Sequence, residues 1–206
     1  HYTVYRAGNG GYPGGPRDMG VRTAFAGSTA RIFNNTITSS RDSGAMYYIY
    51  GGTIHIEGNT ISNSSRAVVS AYDGFPLSGP VLANISGNTI FNNTFGITNV
   101  DADGYVYRYL QNVLIFNNTI QSNNIGIALV DLKNATSATI SSNNLTGGLG
   151  SAIFINTSTS AEPSDENLSI GLVIENNIIR DNDGSGINLS RHIEKQFLAK
   201  QSNISI

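Results

Sequence analysis

Ile is the commonest apolar residue of this chain and, with Val, alternates with polar residues in short runs, the period-two signature of strands with one buried face. One phrase recurs. It reads Ile32-Phe33-Asn34-Asn35-Thr36-Ile37, Ile56-Glu57-Gly58-Asn59-Thr60-Ile61 and Ile85-Ser86-Gly87-Asn88-Thr89-Ile90, then Ile115-Phe116-Asn117-Asn118-Thr119-Ile120, Ile140-Ser141-Ser142-Asn143-Asn144-Leu145 and Ile174-Glu175-Asn176-Asn177-Ile178-Ile179. The pattern Ile-x-x-Asn-x-Ile/Leu thus occurs six times. Eight or nine residues after each of these asparagines lies a second short apolar segment, such as Gly96-Ile97-Thr98 or Gly126-Ile127-Ala128-Leu129. Two strands per repeat are predicted.

Successive anchor asparagines are 24, 29, 30, 25 and 34 residues apart, so a coil of about 24 residues is the minimum and the longer ones carry insertions. The insertions fall in 71–80, 100–111 and 156–169, always between the second segment and the next Ile-x-x-Asn, which places them along one edge. A repeat this short holds too little apolar surface to fold alone. Stacking at an interstrand spacing of roughly 4.8 Å buries a continuous column. The fold expected is all-β, a single-stranded right-handed parallel β-helix, or solenoid, of about six to seven coils. Ile37, Ile61, Ile90, Ile120, Leu145 and Ile179 are its predicted inward column. Asn35, Asn59, Asn88, Asn118, Asn143 and Asn177 are placed where the chain bends, in left-handed geometry that Asn tolerates, with their carboxamides hydrogen-bonded as a structural ladder along the axis.

The helix itself is assigned to 30–190. Residues 1–29 are Gly- and Tyr-rich and read as an irregular lead-in or partial coil, with Val21 to Phe25 as a candidate strand. Residues 191–206 read as a C-terminal cap or assembly tail, with 191–200 the one stretch suited to a short helix.

The phrases Gly-Asn-Thr-Ile, Asn-Asn-Thr-Ile and Asn-Asn-Ile-Gly-Ile-Ala-Leu resemble the parallel β-helix repeat superfamily over about residues 30–190. That superfamily includes pectate-lyase-like enzymes and NosD-like carbohydrate-binding and sugar-hydrolase modules. The resemblance implies the fold, and a fold of this kind hosts many chemistries. The lyase and polygalacturonase signatures that would carry an activity over are missing: there is no Asn-Thr-Asp, Asp-Asp, Gly-His-Gly or Arg-Ile-Lys. A copper role has no support in a chain with three His, two Met and no Cys.

Charged residues are 13% of the chain and the net charge is −2, so there is no basic footprint for nucleic acid. No apolar run approaches the roughly 20 residues that span a bilayer. The chain begins at His1 without an apolar signal region, which predicts a soluble chain, mature or excised. Absence of cysteine removes disulfides and thiol chemistry and leaves the redox compartment open.

The strongest signal outside the fold is the number of N-x-S/T sequons. Asn34, Asn63, Asn84, Asn92, Asn117, Asn134, Asn144, Asn156, Asn167, Asn188 and Asn203 make eleven. Composition alone would give about five. The excess points to a secreted glycoprotein of a cell surface, with Asn134, Asn156 and Asn167 assigned to loops as the leading acceptors. Many sequons without one cysteine fit an archaeal surface protein.

For catalysis the candidates are acidic. Asp101 and Asp131 each stand five residues after a glycine of the second segment, Gly96 and Gly126, so they are expected on adjacent coils. Asp103 lies beside them, with Arg108 as a supporting cation. Such a cluster suits a weak Ca²⁺ site or the paired carboxylates of a polysaccharide lyase or hydrolase, and it equally suits an Asp- and Gly-rich turn. His1, His55 and His192 are dispersed, which predicts no zinc site, and His55 is expected to point outward. Tyr47, Tyr48, Tyr50, Tyr72, Phe75, Tyr105, Tyr107 and Tyr109 gather near the insertions as a candidate glycan platform or subunit interface. The function expected first is a non-enzymatic, glycosylated subunit of a filament, sheath or surface layer, or an adhesin, that self-associates or binds other surface proteins. A polysaccharide-cleaving enzyme and a glycan-binding module are the alternatives.

Overall fold

Alternation of Ile with polar residues gives strands, and the strands wind. A computed structural model describes residues 3–5, 19–25, 28–38, 43–49, 52–71, 81–99, 112–130, 137–157 and 171–191. β1 (Thr3–Tyr5) and β2 (Met19–Phe25) open it, and six full coils follow. They are β3 (Ser28–Phe33), β4 (Thr36–Thr38) and β5 (Ser43–Ile49); β6 (Gly52–Glu57), β7 (Thr60–Ser62) and β8 (Arg66–Ala71); β9 (Val81–Ser86), β10 (Thr89–Phe91) and β11 (Phe95–Thr98). Then come β12 (Asn112–Phe116), β13 (Thr119–Gln121) and β14 (Ile125–Val130); β15 (Ser137–Ser141), β16 (Asn144–Thr146) and β17 (Ile153–Thr157); β18 (Gly171–Glu175), β19 (Ile178–Arg180) and β20 (Ile187–Arg191). The described residues are all-β, and every pairing is parallel between neighbouring coils.

Each coil therefore has three strands where two were predicted. The repeated phrase is not one strand: its asparagine bend divides it, so that Ile32 ends in one sheet and Ile37 in the next. Sheet I stacks β3, β6, β9, β12, β15 and β18; sheet II runs from β1 through β4 to β19; sheet III runs from β2 through β5 to β20. The extra chain length leaves after strands of sheet III and returns at strands of sheet I, between Ala71 and Val81, Thr98 and Asn112, and Thr157 and Gly171. One edge collects all three insertions.

In-register stacking makes the core a set of columns. Ile37, Ile61, Ile90, Ile120, Leu145 and Ile179 pair directly in sheet II, the first five fully buried and Ile179 packed against them. Ile32, Ile56, Ile85, Ile115, Ile140 and Ile174 form the matching column of sheet I. Sheet III contributes Ala45, Val68, Ile97, Ile127, Ile153 and Ile187. At β14 the alternation lapses: three consecutive residues, Ile127, Ala128 and Leu129, are buried.

The second apolar segment begins with a small residue because the coils touch there. A Cβ on Gly126 would lie 2.5 Å from the Ala152 carbonyl oxygen, and one on Gly96 would lie 2.3 Å from that of Gly126. No side chain fits without moving backbone.

Candidate functional site

The two corners that flank sheet II are built on backbone geometry before side chains enter. At the corner from sheet I to sheet II, Asn34, Gly58, Gly87, Asn117, Ser142 and Asn176 have φ between 53° and 65°. At the corner from sheet II to sheet III, Asn63, Asn92, Ser122, Gly147 and Asp181 have φ between 51° and 65°. Left-handed geometry is open to Gly and tolerated by Asn and Asp, which is why these residue types recur. The anchors were expected to occupy it; the left-handed residue is instead the one before the anchor. The anchor follows in ordinary geometry, and that turns its side chain into the coil.

Inside, the anchors form the ladder. The backbone N–H and the Nδ2 of Asn59 both donate to Oδ1 of Asn88, at 2.9 and 3.0 Å. Asn88 does the same to Asn118, Asn118 to Asn143, Asn143 to Asn177, and Asn35 to Asn59. Each Nδ2 from Asn59 onward also donates to the carbonyl of the preceding coil's Ile, as Asn118 does to Ile85 at 2.9 Å. That bond is the physical content of Ile-x-x-Asn. One carboxamide satisfies backbone groups that the bend would otherwise strand in a dry interior.

A second ladder stands at the other corner, and sequence reasoning missed it. Ser64 N–H donates to Oδ1 of Asn93, and the N–H and Nδ2 of Asn93 donate to Oδ1 of Asn123, each at 2.9 Å. Gly148 N–H donates to Oδ1 of Asn182. The signal was an Asn five residues after an anchor, at 93, 123 and 182, interrupted by Ser64 and Gly148. Asn99 makes a third such substitution of side chain for backbone: its Nδ2 donates to the Val130 carbonyl at 2.7 Å and its Oδ1 accepts from the Val130 N–H at 2.8 Å.

Among the described residues the sequons divide into two kinds. Asn34, Asn63, Asn92 and Asn117 are exposed left-handed corner residues. Asn84, Asn144, Asn156 and Asn188 are half-buried strand residues. Asn156 was assigned to a loop, yet it lies in β17, beside Val130 and Ser190 of the neighbouring coils. The Oδ1 atoms of Asn84, Asn144 and Asn156 are buried without a hydrogen-bond partner. Among the corner residues, Nδ2 of Asn63 donates to Thr38 Oγ1 at 3.3 Å. The side chains of Asn34, Asn92 and Asn117 make no hydrogen bond among the described residues. Asn134, Asn167 and Asn203 lie outside those residues.

Asp101, Asp103, Arg108 and Asp131 lie outside the described residues, as do Tyr50, Tyr72, Phe75, Tyr105, Tyr107 and Tyr109 and the tail from 192. Tyr47 and Tyr48 belong to β5. His55 does face outward, on sheet I, where its Nδ1 is 3.0 Å from Glu57 Oε1 and Arg31 is 3.7 Å from Oε2. These are surface contacts of little energetic weight. Among the described residues no three His, Asp or Glu side chains gather as a metal site.

Compared with known families, residues 20–192 match the one described as a right-handed β-helix region. No curated protein and no solved structure matches the chain.

Proposed function

The chain belongs to the right-handed β-helix family, and from that premise we propose that it is an extracellular, N-glycosylated structural or adhesive protein of a cell surface whose solenoid serves as a rigid, self-associating subunit. The observation that carries this is continuity: three parallel sheets are tied by a carboxamide ladder through six coils at the first corner, with a shorter ladder at the second. Hydrogen bonds along the axis at a bent backbone stiffen the one direction in which a rod must resist load. Eleven sequons, four of them on exposed corners, support a surface that carries sugar.

Electron microscopy of the purified native protein, with its intact mass, tests the reading. Filaments or sheets carrying mass in excess of the polypeptide are expected. Monodisperse particles of polypeptide mass would overturn it, and cleavage of a uronic-acid polymer that Asp101→Ala or Asp131→Ala abolishes would replace it with a depolymerase.

A further inference from the structure

Phenylalanine recurs on the outer faces of this solenoid, at one kind of place. Phe33 is 55% exposed and Phe116 36% exposed, and Phe91 is half-buried. Each is the last residue of its strand and immediately precedes a left-handed corner asparagine, Asn34, Asn117 and Asn92. Eleven such corners occur among the described residues, eight of them on non-glycine residues and three on glycine. At the eight corners other than these three, the preceding place is held by Glu, Ser, Gln, Thr or Arg. Phe stands before the corner only where the corner begins an Asn-Asn-Thr sequon. The phrase Phe-Asn-Asn-Thr occurs three times and at no other position.

The geometry of the sequon favours modification at these sites. The middle asparagine, Asn35, Asn93 or Asn118, is held inward by a ladder, while the first asparagine and the threonine lie at the surface side of the chain. The Asn34 carboxamide oxygen lies 2.7 Å from where a Cβ would sit on Gly58, so the glycine of the next coil leaves it room. Asn34 and Asn117 are three coils apart on one corner, roughly 14 Å at 4.8 Å per coil, enough for separate sugars.

We propose that Asn34, Asn92 and Asn117 carry N-linked glycans and that Phe33, Phe91 and Phe116 are the platforms on which the first sugar of each rests. This deepens the glycosylated reading above and depends on it. A sugar ring presents an apolar face of C–H groups, and the negative face of a phenyl ring attracts their polarised hydrogens while the pair excludes water. In the transfer, the asparagine Nδ2 forms a bond to C1 of a lipid-linked phospho-oligosaccharide. The C1–O bond to phosphate breaks, the lipid phosphate leaves with the electron pair, and the amide proton passes to a base.

Two preparations test it: the chain secreted by an N-glycosylating host, and the same chain from bacterial cytoplasm, where no sugar is added. Glycopeptide masses are expected at Asn34, Asn92 and Asn117. Phe116→Ser is expected to lower the Tm of the sugar-bearing form by about 2–4 °C and to leave the bare form unchanged. In a Thr119→Ala background, which removes the sugar and keeps the ring, the Phe116→Ser effect should vanish even in the secreted protein. Equal Tm losses in both forms would show that the ring packs on protein and overturn the proposal. Sugar on other sequons with these three bare would overturn it while leaving the glycoprotein reading intact; no sugar at any sequon would remove both.

Discussion

Asn118 hydrogen-bonds to three coils at once: it accepts from Asn88, and it donates to the Ile85 and Phe116 carbonyls and to Asn143. Asn118→Ala would strand the two donors of Asn88 and the Ile85 carbonyl in the dry interior. The expected loss is about 3 kcal/mol or more, read from the urea midpoint at unchanged slope, because each stranded group costs about 1–3 kcal/mol. Asn177→Ala, at the last described rung, should cost less, since Asn177 is only half-buried and the groups it satisfies are nearer water. The corner makes an opposite demand. Gly87 has φ 62° and no atom within 3.4 Å of an added Cβ, so Gly87→Asn should be nearly neutral. Gly87→Val should cost about 1–2 kcal/mol in the same assay, because a branched side chain resists left-handed geometry. This contrast explains what was legible at single positions. A side-chain requirement admits one residue type, and the anchors stood out in the sequence because only Asn supplies both donors and acceptor in that space. A backbone requirement admits Asn, Gly, Ser or Asp, so the left-handed position was blurred across types and was assigned one residue too late.

Among elements, the strands of sheet II are the informative failure. Each is three residues long with a single inward side chain, too short to display a period of two, so the sequence merged it with its predecessor in sheet I. The core column was nevertheless readable, because an Ile or Leu two residues past each anchor has to be buried whichever sheet holds it. Ile90→Ala, at a position with no exposure, is expected to cost about 2–5 kcal/mol in chemical denaturation, as its neighbours Ile61 and Ile120 are fixed by their own pairing and cannot close the gap. The candidate site was legible less evenly. Sequon counting found the asparagines, but only register separates an exposed corner such as Asn117 from a strand position such as Asn144, which sits between Thr119 and Ile178. Both read as Asn-x-Thr in the chain.

For the whole molecule, the sorting of insertions to one edge makes tolerance to added length a matter of place. Four residues of Gly and Ser inserted between Ala71 and Val81 should move the melting midpoint little, since doubling a loop costs only about 0.6 kcal/mol. The same four residues between Ser86 and Gly87 should prevent cooperative unfolding by calorimetry, because they would push Asn88 out of the ladder and break register with Asn59 and Asn118 together. The ladder also has a direction. From Asn35 to Asn143 every anchor Nδ2 donates to the anchor of the coil that follows, and from Asn59 to Asn177 every anchor Oδ1 accepts from the anchor of the coil before. Among the described residues the ladder is consequently a vector: its rungs all point one way, so its first rung offers an oxygen where its last offers nitrogen, and its two ends are chemically unlike.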